Sequence, residues 1–281
     1  MTHYPTNTII YWFKKVFNMK FSSWRFLDTN KRDAAWNMAI DESLLSNYRE
    51  GDPPIFRLYE WESSLSFGRS QNVASSLDID RLTIDQVPFV RRMSGGGILA
   101  HGHDISYAII IPRSEVNSLG IKKSYKHLSQ FLIEFYSMLG LKPMYAAQTQ
   151  IKNKKSEICL TGREEYDIVV ENKKIGGNAQ RYQKNALLQH GSIPLSLEGA
   201  SFEALFKKDR VISQATSLQK LGVTLSAKEI KTLLREAFLK HFQSDFLETQ
   251  LTQSEYKSAA NLNKIKYSNQ QWNLYGKYDT A

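Results

Sequence analysis

The sequence has only one cysteine, Cys159, among its 281 residues. A single thiol excludes an intrachain disulfide and a zinc site built from several cysteines, and it favours a reducing, cytoplasmic compartment. No uninterrupted apolar run reaches the roughly 18 residues of a transmembrane helix, and the N-terminal apolar stretch lacks the cleavage site of a signal peptide. The six histidines show no spacing typical of metal ligands, so we expect no metal site.

Acidic residues are in the minority, because 28 Asp plus Glu stand against 37 Lys plus Arg, for a formal net charge of +9. The excess lies at the two ends, with +3 in residues 1–20 and +4 in residues 201–281. A basic surface attracts nucleic acid, anionic membranes or acidic proteins, and it also favours solubility. Since the basic residues are scattered, a nonenzymatic nucleic-acid-binding protein is a remote alternative. We expect neither nucleic acid nor a membrane among the partners.

The chain divides into three parts by composition and periodicity. Residues 1–20 form an N-terminal appendage without a pattern that continues into the rest. Residues 21–195 alternate between helix-like and strand-like segments, which predicts a mixed α+β catalytic domain. Residues 196–281 are polar and helix-like, and we expect a small helical C-terminal extension packed on that domain.

Local signals place the main elements. Asp33 is suited to cap a helix over residues 33–48, and residues 124–140 carry apolar side chains at helical spacing. Ser226 and Glu229 match a capping box at the start of a further helix. Strands are predicted at residues 55–61, 64–68, 87–92 and 105–111. Residues 166–170 are predicted as the first strand of a hairpin, residues 171–174 as its turn, and the second strand follows.

The glycine-rich segment at residues 91–101 is the densest candidate for a binding site. Three consecutive glycines let the backbone approach a ligand without a Cβ, and successive N–H groups can cradle an anion or a carbonyl. The two arginines before them can supply charge-assisted hydrogen bonds. The segment matches neither a Walker loop nor a Rossmann fingerprint. Taken alone, it is also compatible with an ordinary tight corner.

Two further segments carry reactive side chains. Lys174 lies on the predicted hairpin just before Gly176 and Gly177, whose backbone would let a ligand approach the ammonium group. A solvated surface lysine is the alternative. Cys159 follows a charged loop and has basic residues nearby, conditions that favour a reactive thiolate. A small buried cysteine is the alternative there.

Together these segments resemble the biotin/lipoate A/B protein ligase family, specifically its lipoate-protein ligase A and cysteine-dependent octanoyltransferase branch. The resemblance covers about residues 24–273. It rests on four segments in the family's order, which are NMAIDE at residues 37–42, SFGRSQ at 66–71, the glycine segment at 91–101 and KIGGNAQ at 174–180.

The resemblance implies an α+β fold in which a central mixed β-sheet is flanked by helices and a tunnel accepts an eight-carbon acyl chain. It implies Cys159 and Lys174 as the catalytic residues. The acyl- and substrate-binding residues that it implies are Arg91, Arg92, Ser94, Gly95, Gly96, Gly97, His101, Gly176, Gly177, Asn178, Ala179, Gln180 and His190.

Two mechanisms are compatible with the resemblance. An octanoyltransferase would take octanoate from octanoyl-acyl carrier protein onto Cys159 and pass it to a lysine of a lipoyl domain, in a 2-oxoacid dehydrogenase or the glycine cleavage H protein, without a cofactor. A lipoate-protein ligase would instead use ATP and Mg to form lipoyl-AMP. Cys159 has the position of the nucleophile in one transferase type, whereas Gly97 completes a glycine run typical of the ligases. A monomer is expected in either case.

Overall fold

The computed structural model describes residues 21–149, 164–197, 205 and 215–277. The strands in these residues are β1 (Ser23–Arg32), β2 (Ile55–Trp61), β3 (Ser64–Phe67), β4 (Phe89–Arg91), β5 (Ile98–His101), β6 (Asp104–Pro112), β7 (Met144–Tyr145), β8 (Ile168–Val170), β9 (Lys173–Lys174), β10 (Gly177–Tyr182), β11 (Ala186–Pro194) and β12 (Asp245–Glu248). They form a six-stranded sheet with the order β10-β11-β6-β2-β1-β12 and two three-stranded sheets, β4-β3-β5 and β7-β8-β9.

The helices in the same residues are α1 (Ala34–Asn47), α2 (Val73–Ser76), α3 (Ile79–Ile84), α4 (Gly120–Met138), α5 (Ala227–Phe242), α6 (Gln253–Leu262) and α7 (Gln270–Tyr275). A π-helical segment, Asn263–Tyr267, joins α6 to α7. Within the part of the chain that the structure describes, no helix has the length and apolar character needed to cross a membrane.

The large sheet is mixed, and its middle is fully buried. All nine residues of β6 are buried, and β6 pairs antiparallel with both β2 and β11. By contrast, β1 pairs parallel with β2 and β12. Side chains alternate along β2, so Phe56 packs into the layer with α4 and α5, while Tyr59 packs into the layer with α1. This architecture confirms the expected α+β fold with a central mixed sheet flanked by helices.

The predicted helix signals are present in the structure. The Asp33 carboxylate accepts a hydrogen bond from the Trp36 backbone N–H at 2.8 Å and caps α1. Ser226 and Glu229 form both bonds of the capping box at the start of α5. Helix α4 begins at Gly120, four residues before the predicted start, because its first turn is exposed and therefore lacks an apolar pattern.

Strands β8 and β9 form the predicted hairpin, but Lys173 and Lys174 belong to the second strand and not to the predicted turn. The two turn residues of the hairpin, Glu171 and Asn172, have φ angles of 49° and 61°. Two successive left-handed residues are typical of the tight turns that match the twist of a hairpin. This turn presents Lys174 at the end of β9.

The segment after residue 196 differs from the predicted helical extension, because it also supplies β12 to the central sheet. This strand is short and mostly exposed, so it lacks the alternation that identifies a strand from sequence. Its partly buried residue, Phe246, packs against Phe26 with ring centroids 4.9 Å apart.

Candidate active site

The glycine loop (residues 94–97) connects β4 to β5 and packs against the turn that follows β3. The Gly68 N–H donates to Gly97 O at 3.1 Å, and the Arg69 N–H donates to Ser94 O at 2.8 Å. A Cβ on Gly68 would lie 1.9 Å from Gly96 O, so a larger residue at position 68 would force the two segments apart. The predicted turn at residues 66–71 and the glycine loop therefore form one structural unit.

The two arginines before the loop have different positions. Arg92 lines the pocket described below, and its guanidinium donates to Ser66 Oγ at 2.7 Å and to Gly97 O at 2.9 Å. The guanidinium of Arg91 donates to backbone carbonyl oxygens in residues 68–71 and 272–274. Arg91 does not belong to the pocket lining, and backbone carbonyl oxygens accept from its guanidinium.

Ser94, His190 and Asp41 form a hydrogen-bonded chain that joins the glycine loop, β11 and α1. Ser94 Oγ lies 2.6 Å from His190 Nε2, and His190 Nδ1 lies 2.9 Å from Asp41 Oδ2. Because a carboxylate only accepts, His190 Nδ1 donates to Asp41, and the neutral form of the imidazole would accept the Ser94 hydroxyl hydrogen at Nε2. All three side chains are buried.

Asp41 is held as a carboxylate by two further donors. Arg57 Nη1 donates to its Oδ1 at 2.5 Å, and the Tyr59 hydroxyl donates to its Oδ2 at 3.0 Å. Burial alone would raise the pKa of Asp41, but the charge of Arg57 and the contact with His190 bring that pKa below its usual value of 3.8. Asp41 therefore carries a negative charge beside the imidazole at neutral pH.

His101 belongs to a second hydrogen-bonded chain at the same pocket. Its Nε2 lies 2.7 Å from Ser66 Oγ, and its Nδ1 lies 2.9 Å from Asp104 Oδ2. The imidazole stacks on Trp61 with ring centroids 3.9 Å apart. Ser192 Oγ also donates to Asp104 at 2.7 Å. Burial raises the pKa of Asp104, but the charge of His101 and these hydrogen bonds lower it below the usual 3.8.

The start of β10 forms one wall of the pocket at a close approach to β11. Gly176 has a φ of 78°, and a Cβ there would lie 2.1 Å from Ser192 O. Gly191 leaves room for the Asn178 side chain, because a Cβ on Gly191 would lie 2.2 Å from Asn178 Oδ1. That oxygen accepts the Tyr107 hydroxyl at 2.7 Å. These glycines therefore set the distance between the strands at the pocket.

Lys174 is buried at the end of β9 and is bound by a carboxylate. Its Nζ donates to Asp167 Oδ2 at 2.7 Å, and both side chains are about 5% exposed or less. Gln180 lies farther along β10 and donates to Gln189 Oε1 at 2.8 Å. Neither Lys174 nor Gln180 belongs to the pocket lining.

The pocket is open to solvent. It is lined by Met38, Tyr59, Trp61, Arg92, Leu99, His101, Ser106, Gly177, Asn178, Ala179, His190, Gly191 and Ser192. Six of the predicted binding residues thus meet at one pocket, and the glycine loop contacts two of them. The predicted nucleophile, Cys159, lies outside the described residues.

The partners of the two histidines were not among the predicted site residues, although Asn37 and Asp41 lie in the NMAIDE segment. Asp41 and Asn37 are buried polar residues four positions apart on α1, and both contact Arg57. Their spacing places them on one helix face, beside the apolar positions of the predicted helix. Such a polar pair next to an apolar stripe is the signal in the sequence that could have identified them.

Comparisons with known proteins identify the family of this chain. A profile of the lipoyl protein ligase A/B catalytic domain matches residues 33–239. An octanoyltransferase LipM from Oceanobacillus iheyensis is 32% identical over 259 residues, covering 87% of this chain and 94% of the relative. An octanoyltransferase LipM from Halalkalibacterium halodurans is 31% identical over 272 residues, covering 90% and 99%.

A solved structure has the same fold. A lipoate-protein ligase A crystallised with ATP superimposes with a TM-score of 0.77 at 22% identity, over 91% of this chain and 99% of the other. The residues matched by the profile, 33–239, include α1, the glycine loop and both hydrogen-bonded histidine chains of the pocket. The resemblance noted in the sequence is thereby confirmed, and the chain belongs to the lipoyl protein ligase A/B catalytic-domain family.

Proposed function

We propose that this chain is an octanoyltransferase, which moves octanoate from octanoyl-acyl carrier protein through a Cys159 thioester to a lysine of a lipoyl carrier domain. The observation that carries the proposal is the similarity to relatives named octanoyltransferase LipM, which extends over 87% and 90% of the chain. The similarity to the ligase structure, at 22% identity, supports the fold only.

The chemistry is a two-step thioester exchange. The Cys159 thiolate attacks the octanoyl carbonyl carbon, and the carrier thiol leaves with a proton. The amine of the acceptor lysine then attacks the enzyme thioester, an amide bond forms and the Cys159 thiolate is released. Because an amide is more stable than a thioester, the transfer needs neither ATP nor another cofactor. The single cysteine of the chain, between the glycine loop and Lys174 in sequence, supports this assignment.

The described residues support specific roles around the acyl group. Backbone donors of the glycine loop and of Gly176 and Gly177 would bind the acyl head and the oxyanion that develops in each step. Lys174 would donate to the acyl carbonyl, and its charge would disfavour protonation of the incoming amine. In the described residues its Nζ donates to Asp167 at 2.7 Å.

The proposed partners are two carrier proteins. Acyl carrier protein would be the donor, and the lipoyl domain of a 2-oxoacid dehydrogenase or the glycine cleavage H protein would be the acceptor. A net charge of +9 suits encounter with acidic carriers, because opposite charges accelerate association. We place the reaction in the cytoplasm and expect the enzyme to act as a monomer.

Intact-mass measurement after incubation with octanoyl-acyl carrier protein, without ATP, tests the proposal. We expect a hydroxylamine-labile octanoyl adduct that is absent in Cys159→Ala, and its transfer to an added lipoyl domain. Lys174→Ala should severely slow that transfer, whereas Lys173→Ala, at the exposed neighbouring position, is the matched control. Unchanged turnover of Lys174→Ala would remove this residue from the site.

An ATP-dependent lipoate ligase is the competing function, favoured by the glycine run that Gly97 completes. Under it, lipoate-dependent exchange between ATP and pyrophosphate would require magnesium and would survive Cys159→Ala. That result, together with the absence of an octanoyl adduct, would refute the transferase.

A further inference from the structure

His190 faces the pocket although it is buried, and it has the hydrogen bonds of a proton acceptor. It lines the pocket, with Ser94 Oγ 2.6 Å from its Nε2 and Asp41 Oδ2 2.9 Å from its Nδ1. Both distances lie within the range of catalytic bases and their orienting groups, about 2.6–3.2 Å. The three residues come from the glycine loop, β11 and α1, so their meeting is a product of the fold.

The charges around His190 favour a proton on its Nε2. On the side of α1 and β2, Asp41 contacts the imidazole, and Arg57 together with Tyr59 holds that carboxylate in place. Arg92 is the cation on the glycine-loop side of the same pocket. A fixed carboxylate orients the ring and stabilises the imidazolium once a proton arrives.

The second histidine of the pocket is less suited to this role. His101 stacks on Trp61, and its Nε2 meets Ser66 Oγ, which also accepts from Arg92 Nη1 at 2.7 Å. With Arg92 donating to Ser66, this hydroxyl lies beside a positive charge, which opposes the passage of a proton toward His101. Among the residues that the structure describes, no cation donates a hydrogen bond to the Ser94 hydroxyl at His190.

We infer that His190 is the proton acceptor of the amide-forming step, with the Ser94 hydroxyl as the bridge from the acceptor amine and Asp41 as the positioning residue. This inference rests on the proposed octanoyl transfer. The neutral lysine amine attacks the thioester carbonyl carbon, the C–N bond forms and the C–S bond breaks. Sulfur leaves as the Cys159 thiolate. The amine proton passes to Ser94 Oγ while the Ser94 proton passes to His190 Nε2, which then releases it to water.

The two steps are separated by loading the enzyme with octanoyl-acyl carrier protein and then adding the lipoyl domain under rapid quench, from pH 6 to pH 9. His190→Gln fills the space of the ring and keeps a hydrogen-bonding group for Ser94. We expect it to load like the wild type but to transfer about 10²–10⁴ times more slowly at pH 7. The wild-type transfer rate should show an inflection with pH, as a general base requires, and His190→Gln should lack it.

Two variants complete the design. Ser94→Ala removes the bridge while keeping the imidazole, so it tests the same step if His190→Gln folds poorly, and it should also slow transfer selectively. The exposed His103 provides the matched control, because His103→Gln makes the same chemical change away from the pocket. It should retain both rates and the inflection.

Three results would overturn the inference. The first is a His190→Gln transfer rate within about threefold of the wild type. The second is an equal loss of loading and transfer, which would mean that His190 only shapes the pocket. The third is an octanoyl ester on Ser94 in Cys159→Ala, which would make His190 the base of a serine nucleophile. A wild-type enzyme that never forms the octanoyl adduct refutes the proposed function itself. Loading of the wild type is therefore measured before the variants are compared.

Discussion

Arg91→Lys should destabilise the protein strongly, because Arg91 links helix α7 by hydrogen bonds to the turn that packs against the glycine loop. Its guanidinium donates to carbonyl oxygens in residues 68–71 and in residues 272–274. Its backbone N–H also donates to Asn273 Oδ1, and its carbonyl accepts from Trp272 Nε1, each at 2.9 Å. Lysine keeps the backbone contacts and the charge, so the substitution isolates the contribution of the guanidinium.

The magnitude follows from the hydrogen bonds. The four shortest run from Nε to Trp272 O at 3.0 Å, from Nη1 to Arg69 O at 2.8 Å and Gln71 O at 2.9 Å, and from Nη2 to Leu274 O at 2.6 Å. An ammonium group places its donors at one point and can reach about two of these oxygens. Losing two charged hydrogen bonds at about 1.5–3 kcal/mol each gives about 3–6 kcal/mol. Folded domains have only about 5–15 kcal/mol of stability in total.

Urea unfolding monitored by tryptophan fluorescence measures this change. The control is Arg81→Lys, because Arg81 pairs with Asp85 on the surface with an Nε–Oδ2 distance of 3.4 Å, and about half of each side chain is exposed. An exposed pair contributes about 0–1 kcal/mol, so the control should change little. A free energy of unfolding for Arg91→Lys within about 1 kcal/mol of the wild type would refute the assigned role.

Two further predictions concern packing and pH. Gly191→Ala should cost about 1–3 kcal/mol, because its Cβ would lie 2.2 Å from Asn178 Oδ1, whereas Gly95→Ala, whose Cβ meets nothing within 4 Å, should not show this overpacking cost. Thermal unfolding compares them, and equal midpoints would contradict the steric argument. Burial and, secondarily, the neighbouring His241 lower the pKa of His127 from 6.5 to about 4. The unfolded chain therefore binds the proton first, so stability should fall as the pH drops from about 6.5 toward 4. His127→Leu should reduce this loss in urea titrations at pH 7 and pH 4.5, and an unchanged pH dependence would contradict it.

Local sequence signals predicted much of the fold. The cap at Asp33, the capping box at Ser226 and the strand at residues 105–111 depend on neighbouring side chains and periodicity, which a sequence displays directly. Strand β12 was not predicted, because its partner β1 lies more than two hundred residues earlier and only Phe246 packs inward.

The sequence by itself determined the family, because four motifs in a fixed order already carry that information, and the matching profile confirms it. Only the tertiary structure decided which polar side chains meet. His190 contacts Asp41 across 149 positions of the chain, and Arg91 contacts Asn273 across 182. Such contacts depend on how helices and sheets pack, and no local periodicity records them. The fold therefore distinguished the two adjacent arginines, since Arg92 faces the pocket and Arg91 holds the C-terminal helix.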